Sequence, residues 1–128
     1  MIKLESLYTQ ENAENGVWKT FTVPNTKETF KLKIAGADSF KYREIITKQN
    51  AAELAREPQG DSEFNSVEEI ERRHKMRCEQ ILPLIIDWEG FDQEFSRKRC
   101  LNLLINAPFV LINVDKFAAD RANFFTPH

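Results

Sequence analysis

The chain has 128 residues, of which 41% are hydrophobic and 11% aromatic, enough for one domain around a single core. Its net charge of −2, with 30% of residues charged, excludes both a disordered composition and the strongly basic balance of a dedicated nucleic-acid binder. No apolar run reaches membrane-spanning length, and Met1-Ile2-Lys3-Leu4-Glu5 lacks a signal-like apolar segment. A cytosolic chain is therefore expected, with no membrane or nucleic-acid partner. Cys78 and Cys100 should be free, part-buried thiols.

Residues 1–16 carry scattered apolar positions (Ile2, Leu4, Leu7, Tyr8, Ala13) ahead of Asn12, Asn15 and Gly16, which predicts a mobile or weakly helical segment. Residues 17–128 should form a single domain. Val17 to Val23 is rich in β-branched and aromatic side chains, with Val17, Phe21 and Val23 on one face. Pro24-Asn25-Thr26-Lys27-Glu28 is turn chemistry, and Thr29 to Ile34 alternates, with Phe30, Leu32 and Ile34 inward and Lys31 and Lys33 outward. The pair reads as a β-hairpin over 17–34, too small to stand without helices beneath it.

Asp38 or Ser39 is placed to cap a helix over about 40–56, inward through Tyr42, Ile45, Ile46, Ala52 and Leu54. Glu57-Pro58-Gln59-Gly60-Asp61-Ser62 reads as a linker. Ser66-Val67-Glu68-Glu69 has the form of a reciprocal capping box, opening a helix over about 66–86. Its stripe is Val67, Ile70, His74, Cys78, Ile81 and Ile85, with Glu68/Arg72, Glu69/Arg73 and Glu71/Lys75 paired on the other faces. Pro83 should kink or terminate it, and Ile81 to Ile86 should be its most buried end.

Asp87 to Ser96 alternates aromatics with carboxylates around Gly90. The pattern predicts a corner where Trp88, Phe91 and Phe95 turn inward while Asp87, Glu89, Asp92 and Glu94 stay wet. Ser96 is the expected cap of a helix over about 97–105, and Pro108 the opening of a last helix over about 108–121 that uses Val110, Val114, Phe117 and Ala118. The fold class is thus α+β and mainly α, an N-terminal β-hairpin packed on three to four helices.

Chemistry is sparse. His74 and Cys78 share a helix face and would make half a zinc site, but nothing marks a second half, and His128 stands alone at the terminus. No nucleophile elbow, P-loop or dinucleotide-binding glycine pattern occurs, and no base accompanies the four acids of the corner. No catalytic, cofactor-binding or metal-binding residue is assigned. The basic run Arg97-Lys98-Arg99 opposes the dipole of the helix it opens. It reads either as local neutralisation of the preceding acids or as a contact for an acidic partner. Phe124-Phe125 reads either as folded back on the core or as an exposed adhesive patch.

Several segments occur here in one order: Ala13-Glu14-Asn15-Gly16-Val17-Trp18, Ile34-Ala35-Gly36-Ala37-Asp38-Ser39, Trp88-Glu89-Gly90-Phe91, Phe95-Ser96, Leu103-Leu104 and Asp120-Arg121-Ala122-Asn123-Phe124. This order resembles the tail assembly chaperones of long non-contractile-tailed phages and their prophages, over nearly the whole chain. Arg97-Lys98-Arg99 departs from the acidic or polar stretch that follows Phe-Ser in that family. The resemblance implies a non-enzymatic protein of the host cytoplasm that coats the helical tape measure protein, recruits tail tube subunits and is absent from the mature virion. It also implies self-association and, often, a frameshifted longer form. On this expectation Phe117, Phe124 and Phe125 offer apolar surface to the partner, with Arg97, Lys98 and Arg99 as the alternative contact. Other classes open to the sequence are a phage head–tail structural or adaptor component and a small regulatory binding protein.

Overall fold

The computed structural model describes residues 1–56 and 66–126; the linker expected at 57–62 and His128 lie outside the described residues. Strands β1 (Val17–Thr22) and β2 (Thr29–Ile34) form the expected antiparallel hairpin, in a register running from Val17↔Ile34 to Thr22↔Thr29. The turn closes with Val23 N–H donating to Glu28 O at 2.8 Å. Asn25 takes the left-handed backbone (φ +66°), a conformation asparagine tolerates better than most residues. Phe30, Leu32 and Ile34 are buried, while Lys31 faces out, as the alternation predicts.

A third strand, β3 (Ile85–Glu89), pairs antiparallel with the other side of β2. This corrects the helix expected over about 66–86. The helix is α3 (Val67–Ile81), and Leu82–Leu84 forms a single 3₁₀ turn before the strand. Pro83 has no N–H to continue the helical ladder, and the β-branched pair Ile85-Ile86 suits a pleated strand. Ile85 keeps its predicted burial, but against Ile34 in the sheet rather than on a helical stripe. The strand also places Glu89 opposite Lys31 and Asp87 opposite Lys33, cross-strand pairs of opposite charge.

The remaining helices are α1 (Gln10–Asn15), α2 (Phe40–Ala55), α4 (Arg97–Asn106) and α5 (Pro108–Ala119). One core joins the inner face of the sheet to Cys78 and Ile81 of α3, Cys100 and Leu104 of α4, and Val110, Leu111, Val114 and Ala118 of α5. Both thiols are free and buried, and burial pushes the Cys100 thiol up to about 12. The mainly helical α+β class is the observed one. No single described helix is long and apolar enough to cross a membrane; α4 and α5 are bent by 107° from each other and bury Cys100, Leu104, Val110, Leu111, Val114 and Ala118 in the core, while Phe109 and Ile112 are exposed.

The segment 1–16, expected to be mobile or weakly helical, contributes a docked helix. Ala13 is buried, Gly36 N–H donates to Ala13 O at 2.8 Å, and the Asn12 amide donates to Phe124 O at 2.8 Å. A Cβ at Gly36 would stand 2.9 Å from the Ala13 Cβ, so glycine here permits the close approach.

Candidate functional site

Capping separates what the sequence places correctly from what it does not. The Ser96 hydroxyl accepts from Arg99 N–H and the Ser66 hydroxyl from Glu69 N–H, each at 3.1 Å. The Glu69 carboxylate receives Arg72 through two nitrogens (3.0 and 2.8 Å) and Arg73 at 3.2 Å, with Arg56 at 3.7 Å. Arg72 also reaches across to Glu53 of α2 at 2.7 Å. Of the predicted i,i+4 pairs, Glu69/Arg73 forms, while Arg72 is drawn to Glu69 and Glu53 rather than to Glu68.

Ser39 carries no cap for α2, and among the described residues its buried hydroxyl finds no partner. The Glu14 carboxylate from α1 serves Phe40 N–H instead, at 2.6 Å. Asp38 holds Arg121 at 2.8 and 3.1 Å, with Arg43 further off at 3.7 Å. The Arg121 hydrogen bonds keep its carboxyl below the usual range against the opposing effect of burial. These contacts join three of the ordered segments: Ala13 to Gly16, Ile34 to Ser39 and Asp120 to Phe124.

The tail expected to offer Phe117, Phe124 and Phe125 to a partner is divided. Phe124 is 2% exposed and meets Phe117 edge-on at 5.8 Å between centroids, and Phe117 is half-buried against the core. Only Phe125 is exposed. The fold-back is fixed by the Asp120 carboxylate, which accepts from Ala122 N–H at 3.0 Å, and by the Asn123 amide on Phe117 O at 2.9 Å.

The corner is real, and it is the end of β3 and the loop after it. Phe21, Phe30, Phe91, Trp88 and Phe95 form a chain of rings with centroids 4.8–5.4 Å apart. Trp88 is half-buried rather than fully enclosed, and its indole N–H donates to Gln93 O at 2.9 Å. Gly90 has φ +96°, and a Cβ there would lie 3.0 Å from the Phe30 Cα. Shallow grooves of about 360 and 540 Å³ flank this loop.

Asp87, Glu89, Asp92 and Glu94 are exposed, as are Arg97, Lys98 and Arg99. The predicted neutralisation does not take the form of ion pairs. Arg99 donates to the Glu94 backbone carbonyl at 3.0 Å, and among the described residues none of the three bases meets one of the four acids. The basic turn stays exposed to solvent.

The largest departure concerns the stripe of α3. Cys78 and Ile81 are fully buried, but Val67 and Ile70, about three and two turns nearer the start, are 69% and 58% exposed. His74 marks the boundary: its Nε2 lies 2.9 Å from Ile105 O, at the end of α4, and 3.8 Å from the Cys78 sulfur. Beyond it, among the described residues, no helix of the body covers α3 on that side. Ala52 and Leu54 of α2, predicted inward, are also exposed. The outer halves of α2 and α3 thus form an arm held by the Glu53–Arg72–Glu69 ion cluster, with a cleft of about 270 Å³ between them lined by Gln49, Ala52, Arg72 and Met76. Arg77 braces its base, donating to the Tyr42 hydroxyl at 3.0 Å and pairing with Asp115 of α5 at 2.7 Å.

Among the described residues no group of three or more His, Cys, Asp or Glu side chains could hold a metal. No protein-family model matches the chain, and no curated protein or solved structure matches it significantly.

Proposed function

We propose that this chain is a non-enzymatic tail assembly chaperone that binds and solubilises a tape measure protein and helps to recruit tail tube subunits in the host cytoplasm. The carrying observation is the half-used stripe of α3, whose outer residues Val67 and Ile70 stay exposed, as Leu54 of α2 does. Exposed apolar side chains at helical spacing are what a helix-in-groove contact requires. A long helical client offers the complementary stripe. The ordered segments shared with the chaperone family support the same reading.

The apolar contact is accordingly assigned to the arm and Phe125, not to Phe117 and Phe124. The exposed turn Arg97-Lys98-Arg99 steers the encounter with acidic residues of the client. Co-expression with a tape measure protein tests this. Val67→Ser with Ile70→Ser should leave the client insoluble, whereas Phe125→Ser should weaken capture only slightly. Reversal of the three basic charges should slow binding and blunt its dependence on salt. Normal client solubility with the double serine variant would overturn the assignment of the arm.

A further inference from the structure

The two edges of the sheet differ. On β3 the Trp88 N–H points away from β2 and is taken by the Asp87 carboxylate at 2.8 Å, with the following loop folded back through the Trp88 indole. The outward N–H of Trp88 is thus already taken on that edge. On β1 the Val23–Glu28 hydrogen bond sets the phase of the ladder, so Phe21, Lys19 and Val17 bond to β2. The N–H and C=O groups of Trp18, Thr20 and Thr22 therefore point outward, and among the described residues none of them has a partner. Trp18, Lys19, Thr20 and Thr22 are exposed, and the strand contains no proline or bulge. An uncovered strand edge of this kind is a template for another strand.

We infer that β1 pairs antiparallel with β1 of a second copy of this chain, joining the two sheets across a twofold axis at Thr20. The register follows from the residues. Outward groups match only when Trp18, Thr20 and Thr22 face one another, which leaves centres at Lys19, Thr20 or Phe21. A centre at Lys19 sets two lysines directly opposite, which is repulsive. A centre at Phe21 brings Trp18 against Pro24, which has no N–H to give. A centre at Thr20 pairs Trp18 with Thr22 of the second copy, Thr20 with itself, and Lys19 with Phe21 of the second copy, where the lysine stem and charge lie against a ring. An inward lysine on an edge strand guards against indiscriminate pairing. Here it discards one register and leaves the self-complementary one. This inference does not depend on the chaperone reading.

Disulfide trapping tests it, because both native cysteines are fully buried. Cα atoms of a directly opposed, hydrogen-bonded pair lie about 5.5 Å apart, within disulfide reach. Under mild oxidation Thr20→Cys should shift from 15.0 kDa to twice that mass, while Thr22→Cys alone stays monomeric. Trp18→Cys mixed with Thr22→Cys should cross-link. Thr20→Pro removes only an outward N–H, so its circular dichroism should match that of the parent while sedimentation shows the dimer lost. A parent chain that stays monomeric at high concentration, a Thr22→Cys variant that links as fast as Thr20→Cys, or a dimer that survives Thr20→Pro would each overturn the inference.

Discussion

The inner and outer halves of α3 carry the same apolar stripe and meet different fates. The inner half packs Cys78 and Ile81 against α4, α5 and the sheet, and both side chains are wholly removed from solvent. The outer half presents Val67 and Ile70 to solvent and is fastened to α2 by guanidinium–carboxylate contacts. Burial is nondirectional and scales with area, so the inner half carries the stability. Ion pairs near the surface contribute little, so the outer half holds a shape without a core beneath it. An arm built in this way keeps its apolar side chains exposed.

The contrast breaks most sharply at Phe124 and Phe125, which are adjacent but differ as the two halves of α3 do. Phe124→Ser should cost about 3–5 kcal/mol, the range for emptying an enclosed aromatic site. It should also release the Asn12 contact that holds the N-terminal helix, whereas Phe125→Ser should leave the denaturation midpoint nearly unchanged. Equal midpoints for the two variants would place Phe124 outside the core.

Within α3, Ile81→Ala should cost about 2–5 kcal/mol. Ile70→Ala, on the same stripe, should cost less than about 0.5 kcal/mol, as surface changes do. Urea titration of the pair measures the difference directly, and similar costs would mean that the arm has a core of its own. Trp88→Ala should fall between these limits, at about 2 kcal/mol, because its ring is only half-buried and still anchors Phe91 and Phe95.

Acid should loosen the arm through Glu69. The Arg72 hydrogen bonds, opposed by burial and assisted by the charges of Arg72, Arg56 and Arg73, hold its carboxyl at about 2 instead of the ordinary 4.5. A carboxyl depressed on folding stabilises the fold above its ordinary value, and that contribution fades as pH falls from about 4.5 towards about 2. Amide exchange in the first turns of α3 should accelerate across that window, and Glu69→Gln should remove the pH dependence. The smallest effect belongs to chelation, which should not move the melting temperature. A fall restored by zinc would assign His74 and Cys78 a ligand role.

The hairpin and its inward face, the two serine caps and the breaks at Pro83 and Pro108 were legible in the sequence because each depends on side-chain period, a hydroxyl at a fixed offset or a missing N–H. The ring cluster at Trp88, Phe91 and Phe95 was legible as a pattern, though not as the end of a strand. Three features depended on distant parts of the chain. Ile85 to Glu89 became a strand because β2 had an open side for it, and Glu14 took over the cap of α2 because α1 docks beside it. The stripe of α3 lost its outer half because α4 ends beside His74, and no local period records where a neighbouring helix stops. Sequence determines which faces are apolar; the lengths and crossings of the packed elements decide how much of each face is covered.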